Sequence, residues 1–396
     1  MAEFKAFAGL RNDVSPERME AGDLVAADNV NIDATGQLSR RDGRSLALAG
    51  DYHSLWAAGD LCLMVGGTSL YRVQPGYTTD SLRAGLTAGA KMAFQPINER
   101  VYYSNGRESG VIENGASRSW GLTPPTNQGT ATATAGNLPA GTYQWAVTYL
   151  RDDGQESGTG LAGRIELTEQ GGIALADLPV SADPGVTLLK ILYLTECNGS
   201  VLYEAATIDA DATTHTIADA VGGANPLATQ HQSPPPAGQV IAYYKGRAFV
   251  AAGHVLYYSE PHAYELFDLR HYIEFPGPIT VLAPIEMPEG GGMFIAAGEM
   301  TGFIAGTTPE EMTYTALADY GGLLGTLTYV EGTLFGDGAM GARMLPMWTS
   351  TNGICVGTPD GQLLNLTEQR YTMDEDGEGC AVFMPDESRY VVVINH

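Results

Sequence analysis

Short apolar runs broken by glycine or asparagine recur along the chain. The repeating unit is an apolar strand, a tight turn, a more apolar strand and a second turn. It reads LWAAGDLCLMVGGTSLYRV from Leu55, AFQPINERVYYSNGRESGVIENG from Ala93 and IAYYKGRAFVAAGHVLYYS from Ile241. Further copies are APIEMPEGGGMFIAAGEMTGFIAG from Ala283, TYVEGTLFGDGAMGARMLP from Thr328 and FMPDESRYVVVINH from Phe383. Glycine at such turns supplies the positive φ that tight hairpins require. The triplets Leu63-Met64-Val65, Val101-Tyr102-Tyr103, Phe249-Val250-Ala251 and Phe294-Ile295-Ala296 have no polar alternation. They predict strands covered on both faces.

Successive copies lie about 40 to 50 residues apart, except for one gap of about 150, and a period of that size with about four strands suits a propeller blade. Removing an insertion of about 100 residues restores the period and leaves about six blades. The segment Asn352–Asn365 reads as the outer hairpin of the fifth blade. The last copy supplies only two strands, and Phe4–Leu10 or Gln37–Leu46 is expected to complete it and close the ring. The expectation is therefore all-β: a β-propeller of about six blades with an inserted immunoglobulin/fibronectin-III-like β-sandwich. Residues 1–122 would hold the N-terminal closing segment and first blades, 123–222 the sandwich, and 223–396 a linker and the remaining blades.

Within the insertion, Tyr143, Trp145, Val147 and Tyr149 alternate with Gln144, Ala146 and Thr148, the period of a half-buried strand. Asp152-Asp153-Gly154 is a turn. Further strands are expected at 164–167, 173–175, 190–195, 201–207 and 214–217. About seven short strands in this length suit an immunoglobulin-like sandwich. Ser233-Pro234-Pro235-Pro236 closes it, a run too proline-rich for a sheet.

Composition sharpens the picture. With 50 Gly and 21 Pro but only 17% charged residues, the chain is made for turns and strands, not helical faces. The formal charge of −25 excludes a protein that grips nucleic acid by neutralising phosphates. Charge is uneven: 54–122 is nearly neutral, whereas 123–222 and 280–396 carry about −9 and −13. The four cysteines, Cys62, Cys197, Cys355 and Cys380, have no metal-like or CxxC spacing and read as small core residues. The N-terminus lacks an apolar core of signal-peptide length and no run is long enough for a membrane span, which predicts a protein made and kept in a cytoplasm-like compartment, or leaving it without the secretory route, and no membrane insertion.

Catalytic signals are sparse. GxSxG, HExxH, GxxxxGK[ST] and a strand-to-helix GxGxxG are all missing, and GQESG at Gly154 has its serine one place late. Gly290-Gly291-Gly292 and Gly321-Gly322 lie between strands and read as turns. His254, His262 and His271, with Glu260, Glu265 and Asp268 nearby, lack ligand spacing and read as a contact surface. Asp374-Glu375-Asp376-Gly377-Glu378 lacks the alternating ligands of a calcium loop and reads as solvated. Repeated Ser-x-Asp-x-Gly-x-x-Trp turns, usual in sialidase propellers, are missing too. No catalytic, cofactor-binding or metal residue is assigned, and the chain is read as a non-enzyme.

The segment from Gly9, GLRNDVSPERMEAGDLVAADNVNIDATGQLSRRDGRSLAL, combines Asn29-Val30 with a Gly-x-Leu-x-x-Arg-x-Gly hairpin at Gly36, Leu38, Arg41 and Gly43. LPAGTYQWAVTYLRDDGQES, LYLTECNGSVLYEAA and PPPAGQVIAYYKGRAFVAAGHVLYYSEPHAYELFD follow in order. Taken together, the series resembles the tail nozzle, or tail-hub (DNA stabilisation), proteins of short-tailed bacteriophages. That resemblance implies a virion structural protein of the tail, assembled in the host cytoplasm as a homohexameric ring. It implies portal and adaptor proteins above, and tail fibres or spikes and a plug or needle as partners. Genomic DNA would be retained and then passed without specific binding. An acidic lining would let the duplex slide, because carboxylates repel phosphate. The competing reading is a receptor- or glycan-binding propeller of a phage fibre or cell surface, using Tyr102-Tyr103, Tyr243-Tyr244 and Tyr257-Tyr258 to stack on sugars.

Overall fold

The computed structural model describes residues 6–33, 35–43, 45–183, 187–287, 290–339, 342–367, 370–373 and 377–395. It is all-β, built from many small antiparallel sheets; among the described residues the only helical turns are short 3-10 segments.

Six sheets follow one another along the chain, each a meander whose strands pair in sequence order. The first runs Tyr52–Ala58, Leu61–Gly66, Ser69–Val73, Thr79–Ala84, and the second Ala93–Ile97, Arg100–Ser104, Ser109–Glu113, Ala116–Arg118. The third contains Val240–Tyr244, Arg247–Ala252, Val255–Glu260 and Ala263–Glu274, with Gln232–Ser233 added at its outer edge. The fourth is Ile279–Glu286, Gly291–Ala297, Met300–Ala305, Thr313–Ala318, and the fifth Thr328–Glu331, Met344–Ser350, Gly353–Gly357, Leu363–Asn365. The sixth has two strands, Glu378–Met384 and Arg389–Asn395. Turn chemistry explains the hairpins. Asn114-Gly115 and Lys245-Gly246 both hold positive φ at successive positions (50° and 76°; 46° and 78°), the geometry that matches strand twist.

The four apolar triplets lie on the second strands of sheets one to four, and every member is less than 9% exposed. Strand alternation then divides each triplet between two neighbours. Leu63 and Val65 pack with Val101 and Tyr103; Tyr102, between those two, turns the other way onto Ala248 and Val250. Phe249 and Ala251 meet Met293 and Ile295, and Phe294 and Ala296 meet Trp348 and Val356. Each sheet is thus glued to the next by an apolar layer. Phe383 and Tyr390 of the sixth sheet pack against the layer of the fifth. Electrostatics brings the end of the row back to its start: burial lowers the pKa of Lys91 and of His53, and Glu378 of the sixth sheet acts on both to raise them.

Residues 123–222 leave the row between sheets two and three. A three-stranded sheet (Thr130–Leu138, Gly171–Ala176, His215–Ile217) and a four-stranded one (Gly163–Leu167, Gly141–Arg151, Thr187–Thr195, Leu202–Asp209) share one core. Leu138, Trp145, Val147, Ile173, Leu192 and Ile217 fill it. Four of the six expected strands fall inside these, and the other two, 201–207 and 214–217, begin one residue before Leu202–Asp209 and His215–Ile217. Thr130–Leu138, in the Thr/Ala stretch that has no bulky apolar alternation, is an additional strand.

Two expectations need correction. Among the described residues neither N-terminal donor joins the sixth sheet. Gly9–Leu10 pairs in parallel with Asp23–Leu24, and Leu38–Arg40 pairs with Val30–Ile32, so their backbone groups are used locally (Phe4 and Lys5 lie outside the described residues). Side chains tie this segment to the chain's other end instead. Asn12 exchanges hydrogen bonds with Thr372 (2.8 and 2.7 Å), and Asp23 accepts from both Arg11 and Arg370. The fifth repeat also departs from a simple hairpin, because Gly332–Ala339 forms a kinked 3-10 segment between Thr328–Glu331 and Met344–Ser350.

Candidate functional site

The densest polar constellation lies where the inserted segment meets sheets two and three. The strand Gly141–Arg151 ends at the Asp152-Asp153-Gly154 turn, where Gly154 takes φ 84°. Arg151, its side chain fully buried, binds Asp153 through two nitrogens (3.0 and 2.7 Å) and donates to the Ser119 carbonyl. Arg100 of sheet two reaches three carboxylates: Glu113 at 2.8 Å, Asp153 at 3.2 Å and Glu265 of sheet three at 2.8 Å. Arg118 pairs with Glu113 at 2.9 Å and also with Asp152. The buried Tyr102 hydroxyl donates to Glu265 at 2.5 Å.

Burial works against the Arg100 charge, but Tyr102, Glu265 and Glu113 outweigh it and raise its pKa. Burial also pushes the Asp153 carboxyl upward, yet Arg151, the Gln155 N–H and Arg100 prevail and hold it down at about 2. Burial and the adjacent Glu265 raise the Tyr102 phenol. Three guanidinium groups are therefore matched by four carboxylates. Such a network fixes one piece of chain on another. The acids are 13 to 165 residues from Arg100, so the sequence singled out the DDG turn, Tyr102 and Glu265 separately without bringing them together.

Two clefts flank the row. One, of about 630 Å³, is lined by Arg83, Ser117, Ser119, Trp120, Asp183 and Pro234. Its polar groups are already engaged: Arg83 donates to the Tyr103 hydroxyl and the Ser109 carbonyl, and Ser119 donates to Asp183. The other, of about 800 Å³, is bordered by Glu299, Asp319 and Glu378, with no lysine or arginine among its described lining residues. Backbones crowd here: a Cβ on Gly321 would sit 2.1 Å from the Gly298 carbonyl oxygen.

The residues singled out in the sequence are dispersed. His254 lies 3.4 Å from Glu274 on the surface, His262 occupies a turn at φ 58°, and His271 is exposed. Glu265 serves Arg100, and Asp268 is clamped by Arg270, which holds it down at about 2. No group of three or more potential metal ligands occurs among the described residues. The four cysteines are free, and only Cys355 is buried. Asp374–Asp376 lie outside the described residues. Gly290, at φ 80°, directly precedes the strand that Gly291 opens at φ 95°. Tyr102, Tyr103 and Tyr244 are buried, while Tyr243, Tyr257 and Tyr258 are half-buried. No helix among the described residues is long and apolar enough to cross a membrane.

No family model and no curated protein matches the chain. Among solved structures it is similar to the N-terminal domain of Nup159, at 8% identity and TM-score 0.31, covering 87% of this chain and 72% of that one. It is also similar to the extracellular domain of BT4673 of B. thetaiotaomicron, at 9% identity and TM-score 0.26, covering 92% of this chain. The chain spans 61% of the length of that second domain.

Proposed function

We propose that the six sheets are the blades of a β-propeller, that residues 123–222 are a fibronectin-III-like sandwich, and that the chain is a structural subunit of a short-tailed phage tail nozzle. Strand order supports the sandwich. Taking Thr130–Leu138 as B and Gly171–Ala176 as E, the other sheet reads C′-C-F-G, with the buried Trp145 on strand C as in immunoglobulin folds. His215–Ile217 occupies the edge beside E.

The observation that carries the functional reading is the order of motifs: the Asn29-Val30 and Gly36–Gly43 signature, then a row of hairpins interrupted once by the sandwich. In this reading copies of the chain form a ring below the portal and adaptor. The ring retains the genome with a plug or needle, passes DNA during infection, and offers the sandwich to fibres or spikes. The acidic cleft and the −25 charge suit a surface past which a polyanion slides, since phosphate finds no counterion to displace. Paired tyrosines buried or half-buried between sheets favour this over the glycan-binding reading, which needs them in solvent.

Particles assembled without the chain test the reading. They should keep portal and adaptor but lose packaged DNA, and purified chain should restore retention. Full retention in its absence would overturn the proposal.

A further inference from the structure

The sixth sheet breaks the rule the others obey. Its second strand, Arg389–Asn395, carries the apolar run Val391-Val392-Val393 in the position where sheets one to four bury their triplets. Here Val393 is 47% exposed, against 8% or less for every residue of those triplets. All seven residues of the strand pair with Glu378–Met384 on one side, and no described residue pairs with the other side. One face is open as well. Cross-strand register places Cys380, Val382, Val391 and Val393 together, and of these Cys380, Val382 and Val393 are exposed. A free edge beside an uncovered apolar face invites strand addition.

A hairpin near the start of the chain is held at its turn, where the Phe7 N–H donates to the Gly36 carbonyl at 2.9 Å, but among the described residues no further strand joins it. Val30–Ile32 pairs only with Leu38–Arg40, and register places Val30, Ile32, Leu38 and Arg40 on one face with Asn31 and Ser39 on the other. Leu38 is 41% exposed. The hairpin supplies two strands, the number by which the last sheet falls short of the four in sheets one, two, four and five. Arg40 and Arg41 end it, whereas the turn of the last sheet holds Asp386, beside a Glu387 that pairs with Arg389, so Asp386 supplies the complementary charge. Among the described residues the outer edges of both elements stay unpaired within one chain, while Asp23 holds the adjoining segment on Arg370.

We infer that the Val30–Arg40 hairpin of one copy adds to the Arg389–Asn395 edge of the next, completing its last sheet to four strands. This deepens the ring reading and rests on it. The contact is heterologous, one patch on each subunit's neighbour, which is the type that generates rings when the rotation closes.

The test is disulfide trapping in the full chain. Ser39→Cys and Val393→Cys are combined with Cys380→Ser, because Cys380 lies directly across from Val393. Mild oxidation should link neighbouring chains into a ladder that ends at the ring's copy number, as read by non-reducing gels and native mass spectrometry. A closed ring without inter-chain links overturns the hairpin contact and leaves the ring reading standing. Inter-chain links in open chains support the contact and overturn the ring. Monomers, linked internally or not at all, overturn both. Leu38→Asp, on the exposed face, provides a second readout: assembly should weaken at least tenfold with an unchanged melting curve, and unchanged assembly would contradict the contact.

Discussion

Tyr102 and Arg100, two residues apart on one strand, both contact the same Glu265 oxygen across the junction of sheets two and three, at 2.5 and 2.8 Å. Glu265 is only 8% exposed, so these partners stand where water would otherwise solvate it. Arg100→Ala leaves that carboxylate without its cation and takes one of two cations from Asp153 and from Glu113, which keep Arg151 and Arg118. The expected loss is about 2–4 kcal/mol, because breaking a largely buried pair strands the remaining charge. Urea unfolding followed by tryptophan fluorescence measures it; a loss below about 0.5 kcal/mol would mean the network is as weak as a surface pair.

The same carboxylates set an acid limit. Asp153 and Asp268 both sit at about 2, below the ordinary 3.8. Between those values the unfolded chain binds more protons than the folded one, so stability rises with pH there. The contribution is fully present above about pH 4 and is lost as pH falls through about 2. Melting temperature against pH should fall steeply in that window, and Asp153→Asn combined with Asp268→Asn should flatten the fall. An equally steep profile in the double variant would contradict the assignment.

Phe294 and Trp348, both fully buried with ring centroids 5.7 Å apart, join sheets four and five. Phe294→Ala removes the larger part of that contact and should cost about 3–5 kcal/mol. Hydrogen exchange should show the loss of protection centred on Gly291–Ala297 and Met344–Ser350, with the inserted segment little changed.

The N-terminal strap depends on one carboxylate. The Asp23 side chain is 1% exposed between Arg11 and Arg370. Asp23→Asn should make the segment before Tyr52 sensitive to trypsin, while the melting temperature of the rest stays put. Resistance equal to wild type would show that Asn12 and Thr372 suffice.

Much of the fold was legible because turns and double-sided apolar strands leave local marks. The triplet Phe294-Ile295-Ala296 names a strand with neighbours on both sides before any sheet is seen. Thr130–Leu138 was not legible, since Thr and Ala alternate without contrast in bulk. Gly332–Ala339 looked like turn residues, and the sequence offers no mark separating a 3-10 excursion from a loop. The joint around Arg100 was invisible, because a salt bridge across 165 residues has no period. Closure by the N-terminal segment failed as an expectation for a related reason: strand capacity is readable locally, but the partner that uses it is not.

The central claim is that this chain is building material for a conduit. Single-particle cryo-electron microscopy of the purified full chain tests it most directly. The account predicts closed six-fold rings with carboxylates facing the lumen. Monomers, or a ring whose lumen is lined by lysine and arginine with the acids outside, would contradict it.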